Sequence, residues 1–237
     1  MTLGDLIDQA RIRLDDVNPE YLNSDEDLIR FANNGVNEIC RRALLIKDSS
    51  SLDLAYLSLQ SDVNLYDIDP RILFIERAGF SSHRLKRISM ETLDTIINWE
   101  DNYGKPRYFC TDFENGKVLI YPSPTSFEEG APVRLTVYRM PLEDMVSTAD
   151  SPEIPAEYHH GVLYWMCYEA FRRQDLDLEA VQKAASELEA IEKLFGPPKD
   201  ASIFGVTKRR FPSDMGSSLV TSAEGQSKGG RVAPTNA

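Results

Sequence analysis

The sequence predicts an α+β protein, with a split four-helix bundle of two N-terminal and two C-terminal helices, an inserted β-rich domain and an extended C-terminal tail. Apolar residues recur at three- and four-residue spacing near both ends of the folded part, which is typical of amphipathic helices. Between these parts the apolar period falls to two, which is typical of strands. The predicted boundaries are 1–48 and 152–196 for the bundle, 49–151 for the β-rich domain, and 197–237 for the tail.

The best-patterned stretch is Ser24–Lys47, which predicts a long helix that begins at a serine cap. Three acidic residues follow the serine, where the helix dipole favours negative charge. Thr2–Asp15 predicts a shorter helix before it. We expect a hydrophobic staple from Tyr21 or Leu22 to fix the turn between them. The apolar stripe of the long helix comprises Leu28, Phe31, Ala32, Val36, Ile39, Cys40, Ala43 and Ile46.

The middle of the chain predicts five or six strands. Apolar residues alternate at Val63 and Leu65, and again from Val133 to Val137. Asn115-Gly116 lies between two strand-like runs, and this pair is a strong hairpin signal. Met90–Trp99 predicts a short helix between strands. The remaining strand-like runs are Ile72–Ile75, Tyr108–Phe113 and Lys117–Tyr121.

Two further helices follow the strands. Pro155 lies at a helix start, and the run from Gly161 to Phe171 is apolar almost all the way round. We expect such a helix to be buried by its own domain and by something outside it. Asp177 is positioned to cap the last helix, and Gly196 can end it in a left-handed conformation. The stripe of this last helix comprises Leu178, Val181, Ala184, Ala185, Leu188, Ile191 and Phe195.

Charge is distributed unevenly along the chain. The net charge is −12, yet residues 199–237 carry six basic and three acidic side chains, which leaves −15 on the rest. An acidic body argues against a general nucleic-acid binder. The composition of the tail predicts no fixed structure of its own, and we interpret its basic and aromatic residues as a docking segment for an acidic surface. That segment comprises Phe204, Lys208, Arg209, Arg210 and Phe211.

The sequence offers no set of residues for catalysis, and we expect no enzyme activity, no cofactor and no metal. His159 and His160 are adjacent, so on a helix they point about 100° apart and do not chelate one ion together. The three cysteines lie far apart and are predicted to be buried hydrophobes. No phosphate-binding glycine motif and no nucleophile motif occurs, and no apolar run is long enough to cross a membrane.

Taken in order, five segments resemble the head-to-tail adaptor (connector) proteins of tailed bacteriophages. They are YLNSDEDLIRFANNGVNEICRRALLIKD, LYDIDPRILFIERAGF, GKPRYFCTDFENGKVLIYPSPT, VYRMPLEDM and PEIPAEYHHGVLYWMCYEAFRRQDLD. The first contains the acidic helix start and an arginine pair, and the third is a hairpin that ends in Tyr-Pro-Ser-Pro. The resemblance covers about residues 1–195 and leaves the tail uncovered.

The resemblance implies a non-enzymatic virion protein that forms a ring, typically of twelve copies, at the head–tail junction. Such a ring binds the portal, extends the DNA channel without sequence-specific DNA binding, and receives the tail or nozzle. It implies assembly in the host cytoplasm and no membrane. We expect one polar face of the long helix to contact neighbouring copies, through Arg30, Asn34, Asn37, Arg41 and Arg42.

Three alternatives remain open from the sequence. The first is another completion or stopper protein of the same neck, which sequence does not distinguish. The second is a hydrolase that uses carboxylates of the β-rich domain, which needs convergent acids with shifted pKa values. The third is a soluble nucleic-acid-binding module, which needs salt-sensitive DNA binding.

Overall fold

The computed structural model describes residues 1–18, 20–173 and 178–199, and it shows an α+β fold. Six α-helices occur in these residues: α1 Leu3–Leu14, α2 Asp25–Ala43, α3 Leu52–Ala55, α4 Met90–Leu93, α5 His159–Arg172 and α6 Leu178–Phe195. Eight strands occur there: β1 Ile46–Asp48, β2 Tyr56–Ser58, β3 Leu65–Asp67, β4 Ile72–Phe80, β5 His83–Arg87, β6 Tyr108–Cys110, β7 Lys117–Tyr121 and β8 Pro132–Arg139. Short 3₁₀ helices lie at Trp99–Asp101 and Ala156–Tyr158.

Both N-terminal helices begin where the sequence predicts. Thr2 and Asp5 form a reciprocal capping box at α1, and the Ser24 hydroxyl accepts a hydrogen bond from the Asp27 amide at α2. The predicted end of α2 at Lys47 is wrong, because the helix stops at Ala43 and Leu44 adopts a left-handed conformation with φ of 54°. The residues that follow pair with a distant strand as β1, and that pairing overrides the helical pattern.

Polar contacts hold the turn between α1 and α2. The buried Arg11 guanidinium donates to the Asn23 carbonyl at 3.2 Å and to the Asp25 carboxylate at 2.5 Å. The Asp16 carboxylate accepts the amides of Leu22 and Asn23 at 2.8 and 3.0 Å. Leu22 is 68% exposed, and the half-exposed Tyr21 ring stacks on the Arg11 guanidinium, so these polar contacts, and not the expected staple to Leu28, fix the turn.

The four long helices share one apolar core, and α5 lies at its centre. Helix α5 contacts α1, α2 and α6. Together these helices cover the apolar run from Gly161 to Phe171, which we expected to be buried partly by something outside its own domain. Two glycines permit the close approach: a Cβ at Gly35 would lie 3.1 Å from Trp165, and one at Gly161 would overlap the Phe195 ring. The burial of α5 therefore requires no second chain.

Helix α6 buries only part of the predicted apolar stripe. Ala184, Ile191 and Phe195 are buried as expected, but Leu178 and Val181 are 82% and 58% exposed. The helix ends at Gly196, which takes the predicted left-handed conformation with φ of 76°. The expected cap at Asp177 lies outside the described residues. Half of the apolar stripe of α6 therefore faces away from the core.

The eight strands form one sheet in the order β1-β8-β4-β5-β6-β7-β3, and β2 also pairs with β8. The sequence misses β1, β2 and β5, because the first two are only three residues long and β5 has one buried residue, Leu85. Strand β8 alternates buried and outward residues as predicted and pairs with three other strands. The antiparallel β1–β8 pair places the chain that leaves α2 beside the chain that returns towards α5.

The predicted hairpin is confirmed, with Tyr108 opposite Tyr121 and Gly116 in a left-handed conformation with φ of 74°. Its first strand ends at Cys110, three residues earlier than expected. The helix expected over Met90–Trp99 is wrong beyond Leu93, where turns and a 3₁₀ helix follow. Leu93 and Trp99 still anchor this stretch, because both pack in a small apolar cluster against the hairpin.

We predict that Ile39→Asp unfolds the helical core. Ile39 is fully buried in α2, so the variant places an unpaired charge in an apolar environment and costs roughly 4 kcal/mol or more. Thermal melting followed by circular dichroism checks this. The matched control is Asn34→Asp, an exposed position of the same helix, which should stay within about 0.5 kcal/mol of wild type. An unchanged melting temperature for Ile39→Asp contradicts the placement of Ile39 in the core.

Candidate functional site

The polar face of α2 is the first candidate surface. Arg30, Asn34, Asn37 and Arg41 follow one another at spacings of four, three and four residues, which places them in one stripe along the helix. Arg30, Asn34 and Arg41 are exposed, and Asn37 is half-buried. Arg30 donates to the Asp27 carboxylate at 2.6 Å. The stripe presents amide and guanidinium donors along about three turns of a rigid helix.

Arg42 does not belong to this stripe. Its side chain is 4% exposed and donates to the Glu38 carboxylate at 2.8 Å and to the Gly196 carbonyl at 3.2 Å. Neighbouring positions on a helix point about 100° apart, which turns Arg42 away from Arg41 and towards α6. Arg42 therefore holds the end of α6 against α2 and is not exposed to a neighbouring copy.

Arg41 lies at a cleft between α2 and the sheet. The cleft has a volume of about 270 Å³ and an apolar floor that includes Ile72, Leu73 and Ile75. Arg87 also lines the cleft, and it donates to the Thr111 hydroxyl at 2.6 Å. The remaining lining residues include Ile68, Asp69, Pro70 and Lys117. The cleft thus combines an apolar floor with three cationic side chains.

An ion network centred on the buried Arg139 joins the sheet to the helices. Arg139, at the end of β8, donates to Asp48 at 2.7 Å and to Glu153 at 3.0 and 2.5 Å. Asp48 ends β1, and Glu153 precedes the 3₁₀ turn that leads into α5. The side chains of Arg139 and Asp48 are 6% and 5% exposed. The network therefore fixes the point at which the β section leaves and rejoins the helical part.

The network favours the ionised forms of its members. Burial alone would raise the pKa of Asp48, but hydrogen bonds from Ser51, Ser50 and Arg139 outweigh it and hold that pKa well below its ordinary value. Burial likewise opposes ionisation of Glu153, and bonds from Arg139 and the Leu142 amide lower its pKa. The pKa of Arg139 is raised, because its two carboxylate partners outweigh its own burial.

Sequence reasoning misses this network, although one signal was available. Val133, Leu135 and Val137 are the buried positions of β8, and Arg139 is the next residue of the same parity. An arginine at a core-facing position of a strand requires a buried acidic partner. The sequence does not show which acid lies beside it, because Asp48 is 91 residues away in the chain.

The remaining reactive side chains serve structural roles. Burial raises the pKa of each of Cys40, Cys110 and Cys167 to about 12, so their thiolates are disfavoured. His159 is buried and its Nε2 lies 3.0 Å from the Ile154 carbonyl, whereas His160 is exposed. Within residues 1–18, 20–173 and 178–199, no group of three or more His, Cys, Asp or Glu side chains could hold a metal ion.

The described carboxylates give no support to a general acid of the hydrolase alternative. Hydrogen bonds and nearby cations lower the pKa of several described carboxylates, including Asp69 beside Arg71 and Glu128 beside Thr125. A general acid at neutral pH needs a raised pKa.

No helix in the part of the chain that the structure describes is long and apolar enough to cross a membrane.

The proposed docking segment of the tail lies outside the described residues. It comprises Phe204, Lys208, Arg209, Arg210 and Phe211.

Comparison with protein families gives a match that covers most of the chain. A family model described as SU10 adaptor protein matches residues 1–207, which include both helical parts and the whole sheet. No curated protein matches the chain.

We predict that Asp48→Asn destabilises the protein by about 3 kcal/mol at neutral pH, because one carboxylate partner of the buried Arg139 is lost. The folded-state pKa of Asp48 is depressed, so its contribution is complete above the ordinary value of 3.8 and is lost as the pH falls below it. Denaturant unfolding from pH 7 to pH 2 should show a constant difference between the two proteins down to about pH 4 and a progressively smaller difference below it, because the loss is complete only as the pH falls through the depressed folded-state pKa. The control Asp144→Asn, at an exposed acid, should follow wild type throughout. A constant difference across this range contradicts the assignment.

Proposed function

This chain belongs to the SU10 adaptor family of bacteriophage head–tail adaptor proteins, and from this premise we propose that it forms a ring of twelve copies at the neck of the virion. Its role is that of a structural head–tail adaptor. The ring binds the portal on one side and receives the tail or nozzle on the other. The observation that carries the proposal is the family match over residues 1–207.

In this proposal the two parts of the chain divide the work. Residues 1–48 and 152–196 act as a split four-helix bundle that forms the wall of the ring, and residues 49–151 act as an inserted β-rich platform for tail components. The shared apolar core of α1, α2, α5 and α6 supports the first assignment. The antiparallel β1–β8 pair supports the second, since it closes the inserted section at its base.

Two surfaces of the helical part fit contacts between copies. The outer stripe of α6 exposes Leu178 and Val181, and apolar side chains exposed along one helix face are typical of an interface. The polar stripe of α2 offers Arg30, Asn34, Asn37 and Arg41. A ring needs two different surfaces on each copy, because its contacts are head to tail.

Charge supports passage of DNA without binding. Residues 1–198 carry a net charge of −15. A wall of this sign repels the phosphate backbone, so double-stranded DNA slides through the channel without sequence-specific contacts. Assembly takes place in the host cytoplasm in this proposal, before or as the tail attaches.

We predict that the chain is a component of the virion neck. Cryo-electron microscopy of purified particles should place a ring of this fold between the portal and the tail, with the α2 stripe facing the adjacent copy. Particles made without the protein should contain heads that lack tails. Tailed, infectious particles without the protein, or a location elsewhere in the virion, would contradict the proposal.

We also predict that deletion of residues 199–237 leaves a folded subunit that no longer assembles stably on its partner ring. The deleted segment carries the basic and aromatic residues proposed to dock on an acidic surface. Thermal melting tests folding, and co-sedimentation with particles tests assembly. Normal incorporation of the truncated chain into particles would overturn the docking role of the tail.

A further inference from the structure

The outer face of the sheet carries a basic groove in an otherwise acidic protein. Strands β4 and β8 contribute Arg77 and Arg134, and Ser81 and His83 lie at the turn between β4 and β5. Together with Ser49, Ser82 and Thr136 they line a cavity of about 400 Å³. The lining contains arginine, histidine and hydroxyl groups and no carboxylate, which suits an anionic group.

Gly79 keeps this groove open. It pairs with Arg134 of β8 and Arg84 of β5, so it lies in the middle of a three-stranded region where glycine weakens a sheet. It has no positive φ that would require glycine, and a Cβ there would meet only ordinary contacts at 3.6 and 3.9 Å. Neither backbone conformation nor close packing requires glycine at this position. A glycine in a strand interior often marks a place where a ligand approaches the backbone, and the missing side chain leaves space for one here.

The groove continues into an apolar part. A second cavity of about 620 Å³ shares Gly79, Ser81 and Arg134 with the first and adds Tyr56 and Phe127. Phe127 is 94% exposed, and Phe80, Ala131 and Pro132 also line this part. Its one acidic side chain, Glu128, is bound to the Thr125 hydroxyl and lies near Lys105. We call the two cavities together the basic groove.

A segment that is complementary in charge to the basic groove lies against the other half of the sheet. Residues 90–101, which we call the acidic segment, expose Glu91, Asp94, Glu100 and Asp101 and contain no basic residue. None of these four carboxylates forms an ion pair with another described residue. Ile97 lies between Asp94 and Glu100, three residues from each, and is 89% exposed.

The acidic segment is held in place by its two buried anchors. Leu93 and Trp99 pack against Cys110 of β6 and against Leu119 and Tyr121 of β7. The basic groove lies on β8, β4 and β5, which occupy the other half of the strand order. One copy therefore carries two complementary surfaces at separate positions, as a head-to-tail contact requires.

We propose that the acidic segment of one copy binds in the basic groove of the next copy, with Ile97 against Tyr56 and Phe127 and with Asp94 and Glu100 facing Arg77 and Arg134. The proposal rests on the ring proposed above and names one of its contacts. It favours a protein ligand over a phosphate backbone, because the groove has an apolar half that matches an exposed isoleucine and because the rest of the chain repels DNA.

Charge reversal tests the contact in the full-length protein. Sedimentation velocity at low ionic strength should show that wild type self-associates and that added salt weakens the association. The groove variant Arg77→Glu/Arg134→Glu and the segment variant Asp94→Lys/Glu100→Lys should each associate at least about tenfold more weakly. An equimolar mixture should regain association, because each contact in an alternating ring then joins opposite charges.

A second pair of variants tests the apolar part of the contact without changing any charge. Ile97→Asn should weaken association by about tenfold, since Ile97 supplies the apolar contact with Tyr56 and Phe127 in the proposed complex. The matched control Val146→Asn changes a comparably exposed apolar residue outside the two surfaces and should behave as wild type. Melting temperatures of all variants confirm that they fold.

Three results would overturn the inference: a wild-type chain that stays monomeric at low salt, reversed variants that associate as wild type, or a mixture that regains nothing. If the groove instead binds phosphate, Arg77→Glu/Arg134→Glu should lose binding to a double-stranded DNA fragment while self-association is unaffected. If the protein is found at the neck but the charge-reversal variants associate as wild type does, this contact is wrong and the proposed function stands. If association depends on these charges but the protein is absent from the neck, the proposed function is wrong and the contact stands.

Discussion

The buried guanidinium of Arg139 is the constraint on which the architecture depends. It lies where the chain passes between two kinds of structure, and it binds one acid from the outgoing strand and one from the returning segment. A buried charge of this kind is costly unless it is paired, so the three side chains hold one another in place. The β1–β8 pairing adds backbone bonds at the same point. An inserted section of about a hundred residues is thereby closed at its base.

This closure explains how the helical core can be assembled from the two ends of the sequence. Helix α2 precedes the inserted strands and α5 follows them, yet Gly35 of α2 lies against Trp165 of α5. Contact between distant segments carries an entropic cost of loop closure, and a base fixed by an ion network reduces the freedom of the ends. The apolar contacts of α5 with three helices then stabilise the core. The outer surfaces of α2, α6 and the sheet stay available for neighbours.

The charges on the surface are separated in a way that suits the proposed ring. The basic groove and the acidic segment lie on different halves of one sheet, and the chain as a whole is acidic. In the proposed ring, opposite patches steer copies into one orientation, and like charges along the proposed channel keep DNA from adhering. Arg42 illustrates the difference between a charge that is paired within the chain and one that is exposed on the surface. It is buried and bound to Glu38 and Gly196, while Arg41 beside it is exposed.

By itself, the sequence determines the α+β class, the starts of α1 and α2, the hairpin at Gly116 and the stop at Gly196, because caps, turns and hydrophobic period act over a few residues. Its ordered segments also indicate the family. Only the tertiary structure decides the early end of α2, the exposure of Leu178 and Val181 on α6, the burial of Arg42 and the partners of Arg139. The end of α2, the Arg42 contact with Gly196 and the Arg139 pair with Asp48 each depend on residues from roughly ninety to more than a hundred and fifty positions away, and such pairings leave no local pattern. The same reason hides the basic groove, whose arginines come together only when β4 and β8 pair.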